Sequence, residues 1–105
     1  MIHDIIAEVR FYHTEDEGIK GVYDRDFYSC PIQFKGHENE PMHDCRVDTK
    51  EFRPVMPGDT IVTGIKFLNF DAVKKYIKIG DIFLLWNSRF IGEGKVEKIF
   101  IAKQA

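Results

Sequence analysis

Apolar and polar positions alternate with a period of two along most of this chain. Over residues 7–12, Ala7, Val9 and Phe11 point one way and Glu8, Arg10 and Tyr12 the other. That is the signature of a half-buried β-strand. Residues 27–34 repeat it, with Pro31 as an interruption that marks an edge or a bulge, because proline donates no ladder hydrogen bond. Residues 36–41, GHENEP, form a polar turn, and residues 42–47 are placed to pair back. Ile61, Thr63, Ile65 and Phe67 lie on one face of a further strand over 60–67. A short buried strand comes next at 82–86, and a long one at 90–101. The acidic, glycine-containing stretch 13–26 reads as a loop. Only residues 71–78, with Val73, Tyr76 and Ile77 at helical spacing, suggest a helical turn.

Between the strands stand turn residues with specific geometry. In Pro57-Gly58-Asp59 the proline presets φ and the glycine accepts the positive φ of a type II turn. Gly80-Asp81 marks another turn, and Asn87-Ser88 a pair able to reach the left-handed region. The sequence contains no repeat, linker or low-complexity tract. Six strands, short turns and no long helix imply an all-β fold, a closed antiparallel barrel or a small sandwich, in one domain over residues 1–105.

Composition fits this picture. The chain is 44% hydrophobic and 30% charged, and nine of its aromatic residues are Phe. No apolar run approaches the ~20 residues that span a bilayer. The opening residues, MIHDIIAEVR, lack the basic start and cleavage site of a secretion signal, so the cytoplasm is the expected location. A formal charge of −2 argues against a surface devoted to nucleic-acid backbones. Lys74, Lys75 and Lys78, and Lys95, Lys98 and Lys103, are the two basic clusters; ordinary solvated faces account for both.

The stretch NSRFIGEGKV, residues 87–96, admits two readings. Gly92 and Gly94 could cradle a phosphate, or they could relieve crowding on a strongly curved strand. A phosphate loop needs a helix directly after it, with backbone N–H groups converging on the anion. The residues after Gly94 are instead KVEKIFI, which alternate as a strand does. The glycines are therefore structural, placed where a neighbouring backbone or a tight barrel corner approaches.

Catalytic and metal chemistry find little support. Cys30, His37, His43 and Cys45 do not match the close-pair spacing of zinc sites. With GHENEP as the hairpin turn, Cys30 and Cys45 fall opposite each other as two reduced, packed thiols. The carboxylates Glu15, Asp16, Glu17, Asp24 and Asp26 cluster in a solvated loop, where they have no general-acid role. No nucleophile, base and orienting group can be grouped together. Neither an enzyme, a cofactor nor a metal is expected.

The ordered set Val55-Met56-Pro57-Gly58-Asp59 and Arg89-x-Ile91-Gly92-x-Gly94-x-Val96 resembles the C-terminal barrel domain of bacterial elongation factor Tu. That family reads V-M-P-G-D and then G-G-R-T-[VI]-G-x-G-x-[VI]. Glu8-Val9 and Asp16-Glu17-Gly18 agree at similar spacing, and the likeness spans residues 7–101. It implies a stand-alone, six-stranded antiparallel closed β-barrel without catalytic activity. In the full factor, GTP is handled by another domain, and this chain has no G-x-x-x-x-G-K-[ST]. The family's barrel helps hold the acceptor and T stem of tRNA and contacts proteins. Carried across, Arg25, Phe27, Tyr28, Arg89, the backbone around Ile91 and Gly92, and Lys95 become the candidate binding residues.

Several departures weaken the tRNA expectation. The family's G-Y-R-P-Q-F-Y-F-R is here the altered segment 24–34, in which Arg25 is the one counterpart of the family's arginine. Asn87-Ser88 replaces a glycine pair, and Glu93 and Lys95 bring charge to positions that are small or apolar in the family. A protein partner, translation-related or a target of inhibition, is favoured. The other expectation is tRNA, with Tyr12, Tyr23, Phe27 or Tyr28 stacking on bases. DNA and membrane are not expected partners.

Overall fold

The computed structural model describes residues 2–13 and 22–100. Six strands, β1 (Ile5–Phe11), β2 (Phe27–Phe34), β3 (His43–Asp48), β4 (Thr60–Phe67), β5 (Ile82–Trp86) and β6 (Phe90–Ile99), close into an antiparallel barrel in the order β1-β4-β3-β2-β5-β6. One short helix, α1 (Phe70–Val73), lies between β4 and β5. Alternation produces the core as expected: Ala7, Val9 and Phe11 point inward from β1, and Ile61, Ile65 and Phe67 from β4. Phe34, Phe83, Leu85 and Val96 fill the interior from the other side. Glu15, Asp16, Glu17 and Lys103 lie outside the described residues.

The glycines of β6 are structural. β6 pairs with β1 through Val9↔Gly94 and Phe11↔Gly92, and with β5 through Phe83↔Gly94 and Leu85↔Gly92. A Cβ on Gly94 would stand 2.1 Å from Cζ of the buried Phe83. One on Gly92 would stand 2.7 Å from the Arg10 carbonyl oxygen, which is backbone and cannot swing aside. β6 continues as a strand beyond both glycines, and no helix begins there.

Turn chemistry sets the entries to β4 and β5. The Asp59 amide donates to the Met56 carbonyl at 3.0 Å, with Gly58 at φ +89°. The Met56 amide in turn donates to Asp59 Oδ2 at 2.8 Å. The same device recurs at the next entry: Asp81 N–H to Lys78 carbonyl at 3.1 Å, Lys78 N–H to Asp81 Oδ2 at 2.8 Å, and Gly80 at φ +92°. The chain thus uses one x-x-Gly-Asp turn twice, a similarity hidden by the unlike residues Met56-Pro57 and Lys78-Ile79. Ser88 takes the left-handed φ of 63° in the β5–β6 turn.

Three expectations need adjustment. The helical stretch is shorter and earlier than 71–78, because only Phe70–Val73 closes as helix, although Val73 and Ile77 do face the core. Within the expected loop 13–26, Tyr23 forms a bridge with Val55. β6 ends at Ile99.

Cys30 and Cys45 are cross-strand partners, as the hairpin implies. Hydrogen-bonded and non-hydrogen-bonded pairs alternate along an antiparallel ladder. The Thr49 amide donates to the Asp26 carbonyl at 2.8 Å, which makes Cys30/Cys45 a hydrogen-bonded pair. Both side chains are buried, at 5% and 4% exposure. The Cys45 thiol donates to the Cys30 carbonyl at 3.3 Å. The same counting puts Pro31 at a non-hydrogen-bonded position towards β3. Its missing N–H faces the β5 side, where pairing starts only at Ile32.

Gly94→Ala is expected to lower stability by about 1–3 kcal/mol, the range for an overpacked core, and Gly92→Ala by at least as much. Urea unfolding checks both, and an unchanged midpoint would contradict the closure argument. Native protein is expected to leave both thiols unreactive to a disulfide reagent and to keep its intact mass with oxidised glutathione. Loss of two hydrogens from the mass would contradict the protection that burial gives the two thiols.

Candidate functional site

The barrel presents two chemically different ends. At one end β1, β3 and β5 finish and β2, β4 and β6 begin. All five arginines belong to this half: Arg10, Arg25, Arg46, Arg53 and Arg89. Aromatic side chains are interleaved with them. Tyr23 and Tyr28 pack at 4.6 Å between ring centroids, Trp86 meets Phe90 edge-on at 5.0 Å, and the Arg10 guanidinium lies over the Tyr12 ring at 5.0 Å. Carboxylates are threaded through the same rim. Arg53 holds Asp24 at 2.9 Å and Asp26 at 2.6 Å, and Arg10 is bound to Glu93.

Of the residues singled out from sequence, the fold gathers most at this rim. Arg25 is exposed just before β2, Phe27 is 36% exposed at its start, and Arg89 lies in the β5–β6 turn. Asn87 Nδ2 donates to the Tyr28 hydroxyl at 2.9 Å and ties that turn to β2. Four candidates are placed otherwise than the resemblance implies. Tyr28 is only 5% exposed, wedged against Phe11 and Tyr23, so its ring is closed to a base or a partner. Burial also raises its phenol pKa, against the lowering effect of the Asn87 bond. Ile91 is buried, with its carbonyl taken by the Tyr12 amide at 2.8 Å. Gly92 is laddered on both sides, so the backbone around it is closed to an RNA. Lys95 is exposed but lies mid-strand between Glu8 and Ile82, away from the rim.

The opposite end is plugged by the segment around α1. Val73 and Ile77 are buried, and Phe70 stacks on Phe67 at 5.8 Å. Tyr76 is held on three sides: its hydroxyl bonds His43 Nε2, its ring stacks on His37 at 4.3 Å, and its edge meets Phe34 at 5.9 Å. His37 Nδ1 lies 3.2 Å from Glu40 Oε2. Spacing alone could not reveal this cluster, because its members come from a turn, a strand and the plug. Lys74 is bound to Asp71 at 2.9 Å, which fits a solvated face rather than a basic site.

A second pair is equally invisible to spacing. His3 Nε2 lies 2.9 Å from Asp48 Oδ2, and the His3 ring covers Gly64, where any Cβ would fall 2.0 Å from it. Burial works to raise the Asp48 pKa, but bonds from His3 and the Lys50 amide bring it below the usual carboxylate value. Among the described residues no group of three or more His, Cys, Asp or Glu could hold a metal ion, and no helix is long and apolar enough to cross a membrane. The Thr63 hydroxyl stands beside the His3–Asp48 pair and donates to the Asp48 carbonyl at 2.6 Å.

The sequence matches no protein-family model, and a search of curated proteins returns no match.

The plug carries a pH dependence. Burial lowers the His43 pKa below its ordinary 6.5; Glu40 opposes this and His37 adds to it. A depressed folded pKa favours the neutral imidazole. Its contribution to stability is present above the unfolded pKa and is lost as pH falls through the folded one. The urea midpoint is expected to drop from about pH 7.5 to pH 5, and to drop less in His43→Gln. Asp48 and Asp71, also lowered, act below that window. Equal slopes in wild type and variant would rule out His43 as the source.

Proposed function

We propose that this barrel is a non-catalytic binding module. It recognises a protein partner through the arginine- and aromatic-bearing rim, in the manner of the elongation factor Tu barrel that its V-M-P-G-D and Gly-x-Gly segments resemble. The observation that carries this reading is the pairing of rim arginines with rim carboxylates, Arg53 with Asp24 and Asp26 and Arg10 with Glu93. An RNA-binding rim directs its cations at phosphates, and binding releases counterions. A rim whose cations are neutralised by carboxylates in place gains little from phosphate. Arginine and large aromatics are, by contrast, the residues enriched at protein interfaces, where they supply most of the energetic hot spots. A translation-related partner or the target of a small inhibitor would both suit such a surface.

Exposed Arg25 and half-exposed Phe27 are the side chains best placed to reach a partner. Labelled tRNA titrated at ~50 mM and ~200 mM salt separates the two readings, because phosphate binding weakens steeply over that range. The expected result is no tRNA binding at the lower salt. A protein should be captured from nuclease-treated extract, and Arg25→Ala/Phe27→Ala should weaken that capture by roughly tenfold, as hot-spot losses do. Tight, salt-sensitive tRNA binding would replace this reading with the RNA one.

A further inference from the structure

The outer face of β2, β3 and β4 forms a depression of about 620 Å³ next to the rim. The strand registers order its side chains as a grid. One row runs Ser29–Arg46–Lys66, since Ser29 pairs with Arg46 and Arg46 with Lys66. The next row runs Pro31–Asp44–Leu68: Pro31 pairs with Asp44, and the Leu68 amide donates to the Asp44 carbonyl at 2.9 Å. All six line the depression.

Two features of this grid work against the fold. Two cations directly opposite each other on neighbouring strands are destabilising. Leu68 is 82% exposed at the edge of the same depression. Local groups offset the charge only in part. Lys66 Nζ lies 3.5 Å from Asp4 Oδ1, but Asp4 is largely buried and its other oxygen accepts the Phe67 amide at 2.8 Å. The Arg46 guanidinium rests over the Phe27 ring at 5.6 Å, and among the described residues no carboxylate pairs with it. That contact joins the depression to the proposed rim through Phe27.

We infer that this depression docks an extended, acidic segment of a protein partner, with a carboxylate bridging Arg46 and Lys66 and a neighbouring apolar side chain lying on Leu68 and Pro31. The inference rests on the protein-binding reading above and specifies the chemistry of the partner. The carboxylate relieves the repulsion of the paired cations, and bridging two donors is stronger than meeting one. Exposed Ser29 adds a hydroxyl donor beside Arg46, and Asp44 an acceptor for a peptide N–H. The depression lies within the ~300–1,000 Å³ range of sites that hold small ligands, room for a few residues of extended chain.

The probe is a fluorescein-labelled hexapeptide of alternating leucine and glutamate, with a leucine–lysine peptide as control, read by anisotropy at ~0.01 M and ~0.15 M salt. The acidic peptide is expected to bind at low salt and the basic one not to. Arg46→Ala/Lys66→Ala should lose tenfold or more of that affinity and Leu68→Ser severalfold, while Lys74→Ala/Lys75→Ala, at the plugged end of the barrel, retains it. Amide chemical-shift mapping on the wild-type protein, which needs no variant, should place the peptide on β2, β3 and β4. No binding of the acidic peptide, equal binding by the Arg46/Lys66 double variant, or shifts confined to other strands would each overturn the inference. Such a failure leaves the rim reading standing if Arg25→Ala/Phe27→Ala still weakens partner capture. Loss of the rim effect alone removes that reading instead.

Discussion

Closure of the sheet depends on the contact between β6 and its two neighbours. A six-stranded barrel has little interior room, and Phe83 uses the space where Gly94 has no side chain. On the other side the β1 backbone at Arg10 comes within reach of Gly92. Without these two approaches β6 would stand off from β1 or β5. An open sheet would then leave a row of unpaired backbone groups, which closure removes. The remaining features are laid on that frame. The β5–β6 turn at Asn87 and Ser88 reaches back to Tyr28 because β6 lies close in. The rim arginines gather because six strand ends meet on one circle.

Strands were legible in the sequence because their signal is local. Inward and outward residues alternate, and burial in β1 and β4 tracks that alternation along each strand. Turn residues were legible for the same reason: a positive φ at Gly58 and Gly80 is a property of a few adjacent residues. The Gly-x-Gly reading succeeded because the alternation after Gly94 excluded a helix. Helix α1 was placed approximately, since its apolar spacing is carried by the adjoining turn as well as by the helix itself.

The candidate site was legible only in part. Arg25, Phe27 and Arg89 were found through a family pattern, and the barrel does bring them to one rim. Tyr28 was expected to be accessible because the family pattern was followed over the alternation, which places it on the face of Cys30, Ile32 and Phe34. Its neighbours Phe27 and Ser29 are the outward pair, which makes it the inward one. Ile91 and Gly92 were read as accessible backbone, but the ladder takes up their polar groups. The His37–Tyr76–His43 cluster, the His3–Asp48 pair and the Arg46–Lys66 opposition all depend on register between distant segments. No periodicity within one segment encodes such a register, so these were out of reach.

The plugged end of the barrel and the outer face of β2–β4 balance charge in opposite ways. At the plugged end polar groups are turned towards one another: Tyr76 to His43, His37 to Glu40, Lys74 to Asp71. That arrangement covers a core opening. On the β2–β4 face the chain does the opposite, setting cation against cation and leaving a leucine in water. Small domains have narrow margins of stability, so unfavourable placements concentrate where function requires them. This contrast, and not the net charge of the molecule, is what the proposed docking of an acidic segment rests on. A chain with a formal charge of −2 still places two cations side by side where an acidic segment would meet them.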